Sequence, residues 1–168
     1  MNNLSGILMA VVFIGIGATL VMDVWLLALK RAGVPTLNFA MLGRWVGHLA
    51  HGRFRHDAIA KAAPVRHETL LGWTAHYATG LAFAALMAVL GGPGWIAHPE
   101  LMPALAVGLG TIVLPFFVMQ PAMGAGIASS RTPTPLRNGV KSLANHTVFG
   151  LGLYIAATVF AHLFPVTA

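Results

Sequence analysis

The chain has 168 residues, of which 57% are hydrophobic and 8% are charged, and its mean hydropathy is +0.78. A soluble domain carries about 25% charged residues, so this composition excludes an ordinary water-soluble protein. The formal net charge is +6, but the basic residues flank apolar runs and form no basic helix face, so we expect no nucleic-acid partner. The sequence contains no cysteine, which excludes disulfides, thiolate metal ligands and thiol nucleophiles.

Four apolar runs are long enough to cross a bilayer about 30 Å thick, which takes about 20 helical residues. They cover residues 4–29, 70–90, 101–125 and 143–164. Pro103, Pro115 and Pro121 interrupt the third run, so we expect a kinked third helix. Residues 1–168 therefore predict a single all-α membrane domain, an up-down bundle of four transmembrane helices. The lipid bilayer is its expected partner.

The ten Lys and Arg residues all lie between the first and second runs or between the third and fourth. Connections rich in Lys and Arg stay in the cytoplasm, so we expect both termini outside and the loop 30–69 inside. The first run follows no basic segment and is too long for the core of a signal peptide, so we expect it to be retained. Between the second and third runs, the string GGPG (91–94) predicts a tight external turn.

The first cytoplasmic loop contains one further helical pattern, at residues 38–50. Its apolar stripe consists of Phe39, Leu42, Trp45, Val46 and Leu49. A second stripe consists of Arg44, His48 and His51. This pattern predicts an amphipathic helix that lies along the inner membrane interface. We interpret the following basic segment, with Arg53, Arg55 and His56, as solvated surface.

Polar side chains occur at similar depths in all four runs. At a rise of about 1.5 Å per residue, they lie about 5 to 10 Å inside the cytoplasmic edge of the membrane. They are Asp23, His76, Gln120, Asn145 and His146. A charged group at the centre of a membrane helix costs about 2.5 to 3.5 kcal/mol, so we expect these side chains to face the bundle interior and pair. We interpret Trp25 and Tyr77, in contrast, as interface anchors.

Two kinds of cofactor fit this residue set. His76 and His146 could ligate haem b across the bundle, with Gly80 and Gly150 clearing space. Arg44, Arg137 or Lys141 could bind the haem carboxylates. The same two histidines with Asp23 could instead hold a divalent transition metal. Candidate cofactor-binding residues are thus Asp23, Arg44, His48, His76, Gln120, Asn145 and His146, and candidate metal ligands are Asp23, His76 and His146.

Three other interpretations stay open. Asp23 could hydrogen-bond to His76, Asn145 or Arg44 and merely fix the helix register. The polar site could belong to a proton-coupled small transporter, which with four spans would act as a homodimer or larger oligomer. The chain could also be an accessory subunit of a larger membrane complex. Catalysis has weaker support, because no nucleophile and base are spaced as a catalytic pair.

Five strings of the sequence carry a resemblance to a known family. They are GATLVMD (17–23), MLGRWVGH (41–48), LGWTAHY (71–77), PFFVMQPAMG (115–124) and NHTVFGLGLY (145–154). In order and spacing they look like the bacterial membrane proteins catalogued as domain of unknown function 2938. The resemblance covers nearly the whole chain and implies a small multi-pass protein of the bacterial cytoplasmic (inner) membrane. It implies no catalytic residue.

Overall fold

The computed structural model of the protein describes residues 4–165. This part of the chain consists of helices and loops and contains no strand. The helices are α1 (Leu4–Arg31), α2 (Phe39–Leu49), α3 (Glu68–Ala97), α4 (Leu101–Gly110), α5 (Gln120–Ala122) and α6 (Pro135–Leu163). The predicted all-α fold is confirmed. The two chain ends, which we predict to lie on the non-cytoplasmic side of the membrane, fall beyond the described residues.

Four helical segments within residues 4–165 are long and apolar enough to cross a membrane. They are Leu4–Arg31, Glu68–Ala97, Leu101–Ala122 and Pro135–Leu163. Only 22% to 39% of the residues in their most apolar windows are buried inside the protein, so most of these apolar side chains face outward. Such a surface is typical of a membrane protein in contact with lipid. The number of spans agrees with the sequence, whereas their orientation and the choice of membrane stay predictions.

The third span is irregular, as its prolines predict. The regular helix α4 ends at Gly110, a π-helical turn covers Pro115–Met119, and α5 continues to Ala122. Proline has no amide hydrogen and disturbs a regular α-helix, and a π turn is one way to accommodate the disturbance. The backbone N–H of Gln120 donates to the carbonyl of Pro115 and closes this turn.

The turn predicted at residues 91–94 is present as a break in α3 at Gly92, whose φ is 64° and ψ is −173°. A further helical segment then extends to Ala97, which the sequence did not predict. Pro93 follows the break, where its fixed φ suits the start of a new helical turn and its missing N–H is not needed. The connection to α4 is therefore the short segment 98–100, which is closed by a hydrogen bond from Trp95 Nε1 to the Glu100 carbonyl at 3.1 Å.

The chain divides into two compact units, which we call the span unit and the loop unit. The span unit contains Met1–Val34, Tyr77–Thr111 and Asn145–Ala168. The loop unit contains Pro35–His76 and Ile112–Ala144.

The core of the span unit depends on small residues. A Cβ atom at Gly108 would lie 2.6 Å from the Gly150 Cα, and one at Gly152 would lie 2.9 Å from the Ala18 carbonyl oxygen. These distances are too short for a side chain, so the helices approach each other backbone to backbone, as is common in membrane proteins. Larger side chains fill the remaining space, and Met87, Leu153 and Phe160 are almost completely buried.

In the loop unit, α2 crosses the beginning of α3. A Cβ atom on Gly43 would collide with the Glu68 carbonyl, and one on Gly72 would collide with the Phe39 carbonyl. Next to this crossing, the rings of Phe39 and Trp73 stack with their centroids 4.0 Å apart. The helix predicted at residues 38–50 is thus present, but its membrane position stays a prediction.

Candidate functional site

A layer of hydrogen bonds links four helical segments of the span unit. Tyr77 donates its hydroxyl hydrogen to Asp23 Oδ2 at 2.8 Å, which joins α3 to α1. Trp25 Nε1 donates to Asn145 Oδ1 at 2.9 Å, which joins α1 to α6. His146 Nδ1 lies 3.1 Å from the hydroxyl oxygen of Thr111, just after α4. We call these six residues the polar layer. Asp23, Asn145 and His146 thus each have a hydrogen-bond partner on another helical segment.

The hydrogen bonds around His146 determine which of its ring nitrogens carries the hydrogen. The Thr111 hydroxyl donates to the Gly108 carbonyl at 2.7 Å, so its oxygen acts as an acceptor toward the ring. His146 Nδ1 also lies 3.0 Å from the same Gly108 carbonyl, which can only accept. Both neighbours of Nδ1 are acceptors, so Nδ1 carries the hydrogen. In the neutral ring, Nε2 therefore carries the free lone pair.

The sequence analysis did not predict that two aromatic residues belong to the polar layer. We interpreted Trp25 and Tyr77 as interface anchors, but each donates a hydrogen bond to a polar side chain on another helix. Indole and phenol donors commonly find a partner when they are partly buried. The sequence signal that could have identified them was their depth in the spans. Trp25 lies two residues after Asp23 and Tyr77 lies directly after His76, so each lies at nearly the same depth as a predicted site residue.

The other predicted haem ligand, His76, belongs to the loop unit. Its ring centroid lies 5.0 Å from that of Phe39 and 5.8 Å from that of Trp73. The idea that glycines clear space for a macrocycle is wrong. A Cβ atom on Gly80 would collide with the Thr19 hydroxyl, and one on Gly150 would lie 3.0 Å from the Ala104 carbonyl oxygen, so neighbouring helices already occupy both spaces.

The predicted metal set of Asp23, His76 and His146 stays a prediction. Within residues 4–165, no three side chains of His, Cys, Asp or Glu form a group that could hold a metal ion. His146 and Asp23 share the span unit, and both belong to the polar layer.

Arg44 is held in the loop unit by a network that the sequence did not reveal. Its Nε and Nη2 atoms donate to the two carboxylate oxygens of Glu68 at 2.9 and 3.0 Å. Its Nη1 atom donates to the carbonyls of Ile59, Ala60 and Ala62 at 3.2 to 3.4 Å. Only 8% of Arg44 is exposed. The hydrogen bonds with Glu68 raise the pKa of Arg44, so its charge is permanent.

The remaining predicted residues of the loop unit also have protein partners. Gln120 accepts a hydrogen bond from the Ser129 hydroxyl at 3.0 Å and donates to the Ser142 hydroxyl at 3.4 Å. His48 lies 2.6 Å from His56, measured between Nδ1 and Nε2. The interpretation of His56 as solvated surface is wrong, because only 6% of this residue is exposed. Arg53 and Arg55 are exposed, as expected.

Comparison with known protein families shows which family the chain belongs to. The family described as protein of unknown function (DUF2938) matches residues 12–160. The chain belongs to this family. Comparisons with curated proteins and with solved structures found no match. The range that matches DUF2938 includes the whole polar layer and the Arg44–Glu68 pair, so both features lie within the part of the chain that defines membership.

Proposed function

We propose that this DUF2938 protein is a multi-pass protein of the bacterial cytoplasmic membrane that binds a first-row divalent metal through His146 Nε2. The orientation of the His146 ring carries this proposal. Metal-ligating histidines usually donate their second ring N–H to a carbonyl or carboxylate, which fixes the ring and leaves the other nitrogen for the metal. His146 donates from Nδ1 in this way, and its Nε2 atom has no hydrogen-bond partner among the described residues.

Asp23 is the proposed second ligand. Asp23 and Trp25 lie on α1, and Asn145 and His146 lie on α6. The Trp25–Asn145 hydrogen bond therefore joins the two helices that carry the proposed ligands. Imidazole with carboxylate suits Zn, Fe, Ni or Mn, and water or a substrate would complete the coordination. We favour a metal over haem, because neighbouring helices occupy the spaces at Gly80 and Gly150.

The metal content of purified variants tests this proposal. The protein is expressed with added Zn, Fe, Mn and Ni, purified in detergent, and measured by elemental analysis. We expect about one metal ion per wild-type chain and a loss of at least tenfold in His146→Ala, because the nitrogen ligand is removed. His162→Ala is the matched control, since His162 is also on α6 but is exposed and bonds to Thr158 of its own helix.

Equal metal contents in His146→Ala and the wild type would contradict the proposal. A thermal unfolding scan of both variants separates loss of the ligand from loss of the fold. An optical spectrum of protein expressed with a haem precursor and iron tests the haem alternative, which requires a Soret band that disappears in His146→Ala.

Proton-coupled transport is a second candidate, favoured by the Asp23–Tyr77 pair. A carboxylate within an apolar span is costly and is commonly part of an ion or proton pathway. In proteoliposomes containing a pH-sensitive dye, Asp23→Asn should lose at least tenfold in proton flux, whereas Asp57→Asn, an exposed loop carboxylate, should not. A flux unchanged in Asp23→Asn, or a strictly monomeric protein, would contradict transport. Wild-type protein with neither metal nor flux would instead favour an accessory subunit.

A further inference from the structure

When His48 and His56 are both neutral, their hydrogen bonds determine which ring nitrogens carry hydrogen. His48 Nε2 lies 3.0 Å from the Ala63 carbonyl, which can only accept, so Nε2 carries the hydrogen of that ring. His48 Nδ1 is then an acceptor. His56 Nε2, at 2.6 Å from it, must be the donor. The second nitrogen of His56, Nδ1, is therefore unprotonated.

The unprotonated Nδ1 atom of His56 is buried and has no hydrogen-bond partner. In the neutral pair, one hydrogen is on His48 Nε2 and one lies between His48 Nδ1 and His56 Nε2. A third proton therefore has to bind at His56 Nδ1, whichever ring carries the charge. The proton would then lie on a buried atom that makes no hydrogen bond in the closed arrangement, which is unfavourable. The closed arrangement therefore persists only as long as the pair is neutral.

Two backbone bonds connect the same segment to the turn that follows the third span. The N–H of His56 donates to the Ala122 carbonyl at 2.8 Å, and the N–H of Ile59 donates to the Met123 carbonyl at 3.0 Å. Gly124, with a φ of 91°, completes this turn, and a Cβ atom there would collide with the Asp57 carbonyl. The segment thus lies directly against the backbone of residues 122–124.

We propose that the His48–His56 pair is an acid-sensitive latch, which holds residues 51–59 against residues 122–124 when neutral and releases them when protonated. Opening exposes His56 Nδ1 to water, so the open form accepts the third proton without penalty. Released residues 51–59 would be mobile, and their amide hydrogens would exchange with solvent, while Arg44 continues to hold the carbonyls of Ala60 and Ala62.

The charges around His56 determine the direction of the pH effect. Burial lowers the pKa of His56 from its usual value near 6.5, and the positive charges of Arg53 and His48 lower it further. The Ala122 backbone, which interacts with the His56 ring, and the charge of Asp57 raise the pKa of His56, but each contributes less. No charged side chain occurs in residues 120–124. The closed form thus binds fewer protons than the open form, so closure is fully stable above about pH 6.5 and weakens as the pH falls.

Hydrogen exchange of the full-length protein in lipid nanodiscs tests the latch. After correction for intrinsic rates, the amides of His56 and Ile59 should exchange about tenfold faster at pH 5.5 than at pH 7.5, since one pH unit below the open-form pKa changes the equilibrium by about that factor. In His56→Gln, the amide nitrogen can still donate to His48 Nδ1 but does not titrate, so this pH effect should disappear.

His51→Gln is the control, because His51 is exposed and bonds to Gly47 of its own helix. This variant should keep the wild-type pH effect. Nitrogen-15 spectra of the histidine rings provide a second readout, with Nε2–H expected on both rings at pH 7.5. Exchange that is independent of pH in the wild type, or a pH effect that persists in His56→Gln, would overturn the proposal.

Discussion

Replacing Gly43 or Gly72 by alanine is expected to destabilise the protein by about 3 kcal/mol, the upper part of the usual range for overpacking. The added Cβ atom would collide with the Glu68 carbonyl in the first variant and with the Phe39 carbonyl in the second. Both carbonyls belong to the backbone, so neither can rotate away as a flexible side chain would. Helices α2 and α3 would have to separate, which would also disturb the stacked rings of Phe39 and Trp73.

Thermal unfolding in detergent, followed by tryptophan fluorescence, measures this effect. Gly139→Ala is the matched control, because a Cβ atom at this helical position meets nothing within 4 Å. Alanine there should raise stability by about 0.5 to 1 kcal/mol through its higher helix propensity. The double variant Gly43→Ala with Gly72→Ala should lose less than the sum of the two single losses, since both open the same crossing. If Gly43→Ala were as stable as Gly139→Ala, this would contradict the backbone contact of α2 with α3 at Gly43.

The helices were predictable because their signals are local. The apolar runs are long enough to identify the four spans without any tertiary information. Helix α2 has its own start signal as well, since Asn38 Oδ1 accepts hydrogen bonds from the N–H groups of Ala40 and Met41. The helical segment after Gly92 was missed because Gly92 and Pro93 are compatible both with a turn and with a break followed by another helical turn.

The candidate site was predictable only in part, because its partners depend on how the helices are rotated. Depth along each span indicated that Asp23, Asn145 and His146 would be paired. Depth does not indicate which neighbouring residue faces them, so Tyr77 and Thr111 were not identified as partners. The burial of His56 was missed for a similar reason, since His56 and Ile59 bond to Ala122 and Met123, more than 60 residues further along the chain.

Removing the Arg44 side chain should lower the unfolding temperature by about 10 °C, as expected when one partner of a buried ion pair is lost. In Arg44→Ala, the partly buried Glu68 carboxylate loses both charge-assisted hydrogen bonds. Arg44→Lys should recover only part of the loss, because an ammonium group cannot form the planar two-bond contact. Arg53→Ala removes an exposed arginine of the same loop and should change the unfolding temperature by less than about 2 °C.

The Arg44 guanidinium both pairs with Glu68 and donates hydrogen bonds to carbonyls of the loop. The double variant Arg44→Met with Glu68→Met distinguishes these two contributions to stability. Replacing both members of an isolated buried ion pair by apolar residues is often neutral. Here the carbonyls of Ile59, Ala60 and Ala62 also accept hydrogen bonds from Arg44, and they would lose this donor in the double variant. We therefore expect the double variant to remain destabilised. Recovery to wild-type stability would mean that Arg44 acts only through Glu68 and that its bonds to the loop carbonyls contribute nothing.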